Sequence, residues 1–75
     1  MKKGASTLAS YLRTRREAKG LSQKQVASHL KYSSAQFVSN WERGLSRPPL
    51  TALTKLADLI HLDKKKLLDI YVAHT

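Results

Sequence analysis

The chain has 75 residues, 14 Lys and Arg against 5 Asp and Glu, no cysteine, and a formal net charge of +9. A chain of this length makes one small domain that buries only roughly 60% of the surface its unfolded form exposes. Without cysteine, neither disulfides nor thiolate metal ligands can reinforce that thin core. No stretch approaches the ~18–20 apolar residues of a membrane span. The opening MKKGASTLAS carries two lysines with no apolar run behind them and does not read as a signal peptide. It reads as a flexible basic arm over 1–6, ahead of a single domain over 7–75, and the chain is expected in the cytoplasm.

In chain order, Ser6 or Thr7 can cap a first helix that runs to about Lys19 and stops at Gly20 in the C′ position. Leu8, Tyr11 and Leu12 form its apolar face. Arg13, Arg15, Arg16 and Lys19 crowd its second half, where cations meet the helix dipole favourably. A second helix is predicted over about 22–30, with Ser22 and Gln25 spaced for a capping box and Val26, Ala27 and Leu30 as its apolar stripe. Lys31-Tyr32-Ser33-Ser34 breaks that stripe, and a serine hydroxyl there can cap a third helix over about 34–43. Gly44 ends it, and Leu45-Ser46-Arg47-Pro48-Pro49 is a loop stiffened by its prolines. Pro49 suits the first turn of a fourth helix, over about Leu50 to Ile60, with Leu50, Leu53, Leu56, Ala57 and Ile60 at core spacing. Leu62 is an inward anchor, and Asp63 caps a fifth helix over about 63–73. The predicted fold is therefore all-α, a compact five-helix bundle.

The third helix carries the functional signal. Val38 and Trp41 lie three apart on one side, which favours a core role for Trp41 over stacking on a base. Phe37 lies at the border. Gln36, Ser39, Asn40 and Arg43 recur at intervals of three and four on the other side. That face offers amides and hydroxyls for base edges and a guanidinium for guanine or phosphate, with no carboxylate aimed at a nucleic acid strand. The charge supports the same reading. Eleven of the fourteen Lys and Arg precede Asp58, opposed only by Glu17 and Glu42. From Asp58 to the end, Lys64, Lys65 and Lys66 are balanced by Asp58, Asp63 and Asp69. A basic field over a base-reading face steers a protein to a polyanion.

These residues resemble the Cro-like, or XRE-type, helix-turn-helix domains of phage repressors and small bacterial regulators. The resemblance covers about Leu8 to Leu62. It rests on Arg13, Arg16, Gly20-Leu21-Ser22-Gln23, Val26-Ala27, Ser39-Asn40-Trp41-Glu42-Arg43-Gly44, and Pro48 with Leu53, Leu56 and Ala57. It implies a recognition helix in the major groove, with Ser34, Ala35, Gln36, Ser39 and Asn40 at or near bases. Gln36 is the leading candidate for a bidentate contact to adenine. It also implies phosphate contacts from Gln23, at the anion-binding start of helix two, and from Lys24, Arg16, Arg43 and Arg47. An ion pair between Arg16 and Glu42 would join helices one and three. The chain departs from the family pattern in one respect: the spacing from Leu30 to Ser39 is one residue longer. Either the turn around Tyr32-Ser33-Ser34 is reshaped or helix three starts earlier.

Chemistry of other kinds has little support. His29, His61 and His74 share no helical face and have no cysteine companions, so no metal site is expected. No nucleophile has an acidic orienter and no glycine-rich phosphate loop exists, so no catalytic residue, cofactor or small-molecule ligand is expected. Lys64-Lys65-Lys66 reads as a solvated face. The expected function is sequence-specific binding of double-stranded DNA as a small transcriptional regulator or repressor. A homodimer would form through Leu68, Ile70 and Val72, whose apolar surface exceeds what one helix face needs, and another regulatory protein is a further conceivable partner. The alternative is a protein-interaction module on the same fold, such as an antitoxin subunit or a phage partner-binding protein.

Overall fold

The computed structural model describes residues 7–67. Four helices follow one another: α1 (Thr7–Ala18), α2 (Gln23–His29), α3 (Gln36–Glu42) and α4 (Leu50–Leu59). A further helical turn, α5, covers 64–67. The predicted arm at 1–6, the later part of the predicted fifth helix, and Leu68, Ile70 and Val72 lie outside the described residues. Among those described, no helix is long and apolar enough to cross a membrane.

Each of the four helices ends by the same local device. The chain turns back through a left-handed residue at C′, and the amide that follows it reaches a carbonyl inside the last helical turn. For α1 the turning residue is Gly20 (φ +71), with Leu21 N–H on Arg16 O at 3.2 Å. For α3 it is Gly44 (φ +76), with Leu45 N–H on Asn40 O at 2.9 Å. The same turn is made without glycine by Lys31 (φ 65) after α2 and by His61 (φ 58) after α4. There Tyr32 N–H meets Ala27 O at 2.9 Å, and Leu62 N–H meets Ala57 O at 3.0 Å.

Helix starts are equally local. Ser22 and Gln25 form a reciprocal capping box, Gln25 N–H on Ser22 Oγ at 3.0 Å and Ser22 N–H on Gln25 Oε1 at 2.8 Å. Asp63 Oδ1 accepts from Lys65 N–H at 2.9 Å and starts α5. Pro49 stands one residue earlier than its predicted place, as the extended N-cap of α4.

The apolar stripes of the helices meet in one core. Leu8, Leu12, Val26, Leu30, Val38, Trp41, Leu53, Leu56, Ile60 and Leu62 are all buried in it, with Val26 and Ile60 the most enclosed. Leu50 does not join them and is 72% exposed. Its rotation about the helix axis suits the stripe. As the first residue of α4, however, it precedes the turn that reaches the core, so spacing alone misplaces it.

Tyr11 and Arg15 of α1 hold the α4–α5 corner. The Tyr11 hydroxyl accepts from Asp63 N–H at 2.8 Å, Arg15 Nε donates to Ile60 O at 3.2 Å, and Lys66 Nζ lies 4.9 Å from the centre of the Tyr11 ring.

A left-handed residue with a Cβ costs roughly 1–2 kcal/mol, while glycine gives back about 0.5–1 kcal/mol through the freedom of the unfolded chain. Lys31→Gly is therefore expected to stabilise the fold by about 0.5–1 kcal/mol, read as a raised urea midpoint at unchanged slope. Gly20→Ala should lower that midpoint, although a Cβ there would meet nothing within 4 Å, because the penalty lies in the backbone.

Candidate nucleic-acid interface

Helix α3 packs against both α1 and α2. Val38 and Trp41, 2% and 4% exposed, form its inner side. A cluster of hydrogen bonds fixes its far end. Arg16 Nε donates to Glu42 Oε2 at 2.7 Å and Arg16 Nη2 to Glu42 Oε1 at 3.0 Å, a bidentate fork. Arg16 Nη1 donates to Leu21 O at 2.7 Å, and Gln23 Nε2 donates to Glu42 Oε1 at 3.1 Å. One carboxylate on α3 thereby ties the last part of α1, the loop after it and the first residue of α2 together. The two charged side chains are 12% and 4% exposed. The hydrogen bond to Glu42 raises the Arg16 pKa against the opposing effect of burial, with further support from the charges of Glu42 and Glu17.

The other end of α3 is set by the turn. The third helix is expected over 34–43 and runs Gln36–Glu42. Lys31 reverses the chain after α2, and α3 starts at Gln36, later than expected and not earlier. Ser34 lies ahead of the helix, where its Oγ accepts from Gln36 N–H at 3.0 Å. Ala35 is the N-cap and is half-buried. An aromatic train braces this end: Tyr32 stacks on Phe37 with centroids 4.8 Å apart and meets Trp41 edge-on at 5.5 Å.

The outward side of α3 presents Gln36 and Arg43, both exposed, with Ser39 and Asn40 half-buried between them. Gln36 Nε2 donates to Asn40 Oδ1 at 2.9 Å, one turn along the helix. The two amides therefore form one polar unit, and Gln36 keeps its carbonyl and a second N–H for a ligand. Lys24 is exposed on α2 and borders a groove of about 350 Å³ shared with Ser28, Ser33 and Ser34. Arg47 is exposed in the proline loop.

The sequence-predicted residues thus fall into separate groups. Gln36, Ser39, Asn40 and Arg43 share one helix side, Ser34 serves the backbone before that helix, and Arg16 is enclosed by Glu42 and Leu21. Sequence reasoning misses the bond from Gln23 to Glu42, since nothing in a separation of nineteen residues announces it. It also misses Arg15 as a partner of the α4 terminus.

Residues 7–69 match the family model described as a helix-turn-helix domain. No curated protein matches the chain, and no solved structure does.

Removing the carboxylate at the centre of the cluster should leave Arg16 enclosed with only the exposed Glu17 carboxylate, at 3.9 Å, as a counter-charge. Glu42→Ala is expected to destabilise the fold by roughly 3–5 kcal/mol, the range for breaking a buried pair. Gln23→Ala, which leaves the fork in place, should cost about 1 kcal/mol. Urea unfolding of the two variants beside the parent protein measures both.

Proposed function

The chain belongs to the helix-turn-helix domain family, which points to DNA as its partner, and from that membership we propose that it reads double-stranded DNA by sequence as a small transcriptional regulator of the Cro-like, XRE type. The observation that carries this reading is the outward side of α3. Gln36, Asn40 and Arg43 face away from a core that holds the helix through Val38 and Trp41. Amides on a rigid helix match the donor and acceptor pattern of the major groove, with the Arg43 guanidinium beside them for phosphate. Nothing acidic stands among them, because Glu42, the carboxylate of α3, is turned into the Arg16 fork.

In this mechanism α3 enters the major groove, and Gln36 takes adenine through its carbonyl and its second N–H, with Ser39 and Asn40 beside it. Ser34 and Ala35 come near bases at the start of the helix. Lys24, Arg43, Arg47 and Gln23 contact phosphates on either side and position the protein without reading sequence. Arg16 we assign to positioning, since its guanidinium already serves Glu42 and Leu21 O. A homodimer would set two recognition helices about one turn of DNA apart, ~34 Å, in the cytoplasm, where another regulatory protein could govern it.

Selection of bound duplexes from a random pool tests the proposal directly, and enrichment of a defined sequence is expected. On that sequence Gln36→Ala should lose ~1–3 kcal/mol at one adenine position while binding to random DNA holds. Arg43→Ala and Lys24→Ala should each weaken all duplexes alike and reduce the salt slope by about one. A pool that returns no preference, together with tight capture of a protein, would favour an interaction module instead.

A further inference from the structure

We propose that Phe37 is a second specificity residue, which reads the 5-methyl group of a thymine paired with, or next to, the adenine taken by Gln36. The inference rests on the DNA reading above and adds to it a contact of different chemistry.

Phe37 is 46% exposed, although the rest of the aromatic train to which it belongs runs into the core. Its ring lies on that of Tyr32, centroids 4.8 Å apart and planes 23° from parallel. Tyr32 in turn stands edge-on to Trp41, which is 4% exposed. Tyr32, itself braced by Trp41, thus holds one face of the ring against a fixed wall and leaves the remainder open. No core requirement explains an open phenyl ring at this position, since Val38 and Trp41 already fill the inner side of the helix.

The position is also informative. Phe37 follows Gln36 directly, about 100° around the helix, and therefore borders the polar side at its N-terminal end. The N-terminal residues of a recognition helix are those that reach base edges. In the major groove thymine alone among the four bases presents a methyl group, and apolar side chains recognise it by contact. A ring held by stacking loses little freedom when it meets that methyl, unlike a flexible aliphatic chain.

The test uses the full chain and the duplex enriched from a random pool. Each thymine is replaced in turn by deoxyuridine, which removes one methyl and leaves base pairing and the protein untouched. For the parent protein one position is expected to bind about fourfold more weakly, the effect of a single apolar carbon. Phe37→Ala should bind the thymine and uracil duplexes equally, and Phe37→Leu should keep part of the difference. Far-UV circular dichroism establishes that both variants are folded. If no thymine is sensitive to loss of its methyl, or if Phe37→Ala retains the full difference, the assignment is overturned while adenine reading by Gln36 stands. If the pool shows no sequence preference, both this inference and the DNA reading fall.

Discussion

Everything presented by α3 depends on where that helix is held, and one carboxylate governs its far end. Glu42 accepts two hydrogen bonds from Arg16 and one from Gln23, and Arg16 also donates to the carbonyl of Leu21. A bidentate arginine–carboxylate pair fixes direction as well as distance, because the donors and acceptors are coplanar forks. The orientation of α3 relative to α1 and α2 is thereby set at one point, by groups that a neutral contact could not replace in geometry. Burial makes the charges expensive to separate. The cluster contributes to uniqueness of orientation more plainly than to net stability.

The basic residues of α1 show how one class of side chain is divided among tasks. Arg13 pairs with Glu17 on the surface at 3.3 Å, an exposed contact of small energetic consequence. Arg15 reaches the end of α4, and Arg16 enters the Glu42 cluster. These last two are structural ties between helices. Arg13 and Arg16 lie against Glu17 and Glu42, whereas Arg15, on a neutral carbonyl, keeps its charge, and the field that can steer a polyanion is carried further by exposed residues such as Lys24, Lys31 and Arg43.

Much of this architecture is legible in the sequence because its determinants are local. The capping box at Ser22 and Gln25, the stop at Gly20 and the inward pair Val38 and Trp41 are all written within a few residues of where they act. What cannot be read depends on position along an axis or on distant partners. Leu50 has the right rotation and the wrong height. Gln23 and Glu42 meet only after α2 and α3 have packed. The start of α3 is misplaced by residue type, because Ser34, a good capping residue, bonds Gln36 N–H from outside the helix. On the candidate site, Gln36 and Asn40 are visible as members of one side, whereas the bond between them is not. Phe37 can be placed only at a border, since its exposure depends on the path of the turn that delivers Tyr32.

The repeated way in which the helices end has a kinetic consequence. A helix that carries its own stop does not need the finished core to tell it where to end. Here four consecutive helices close through a left-handed residue and a backbone bond that spans only five residues. Much of the search for the native state is then restricted to short segments, and the loops left to close between them are brief. Chains dominated by such near-neighbour contacts assemble on the microsecond to millisecond scale. This domain should therefore reach its working form soon after the chain is released, with little time spent as an exposed intermediate.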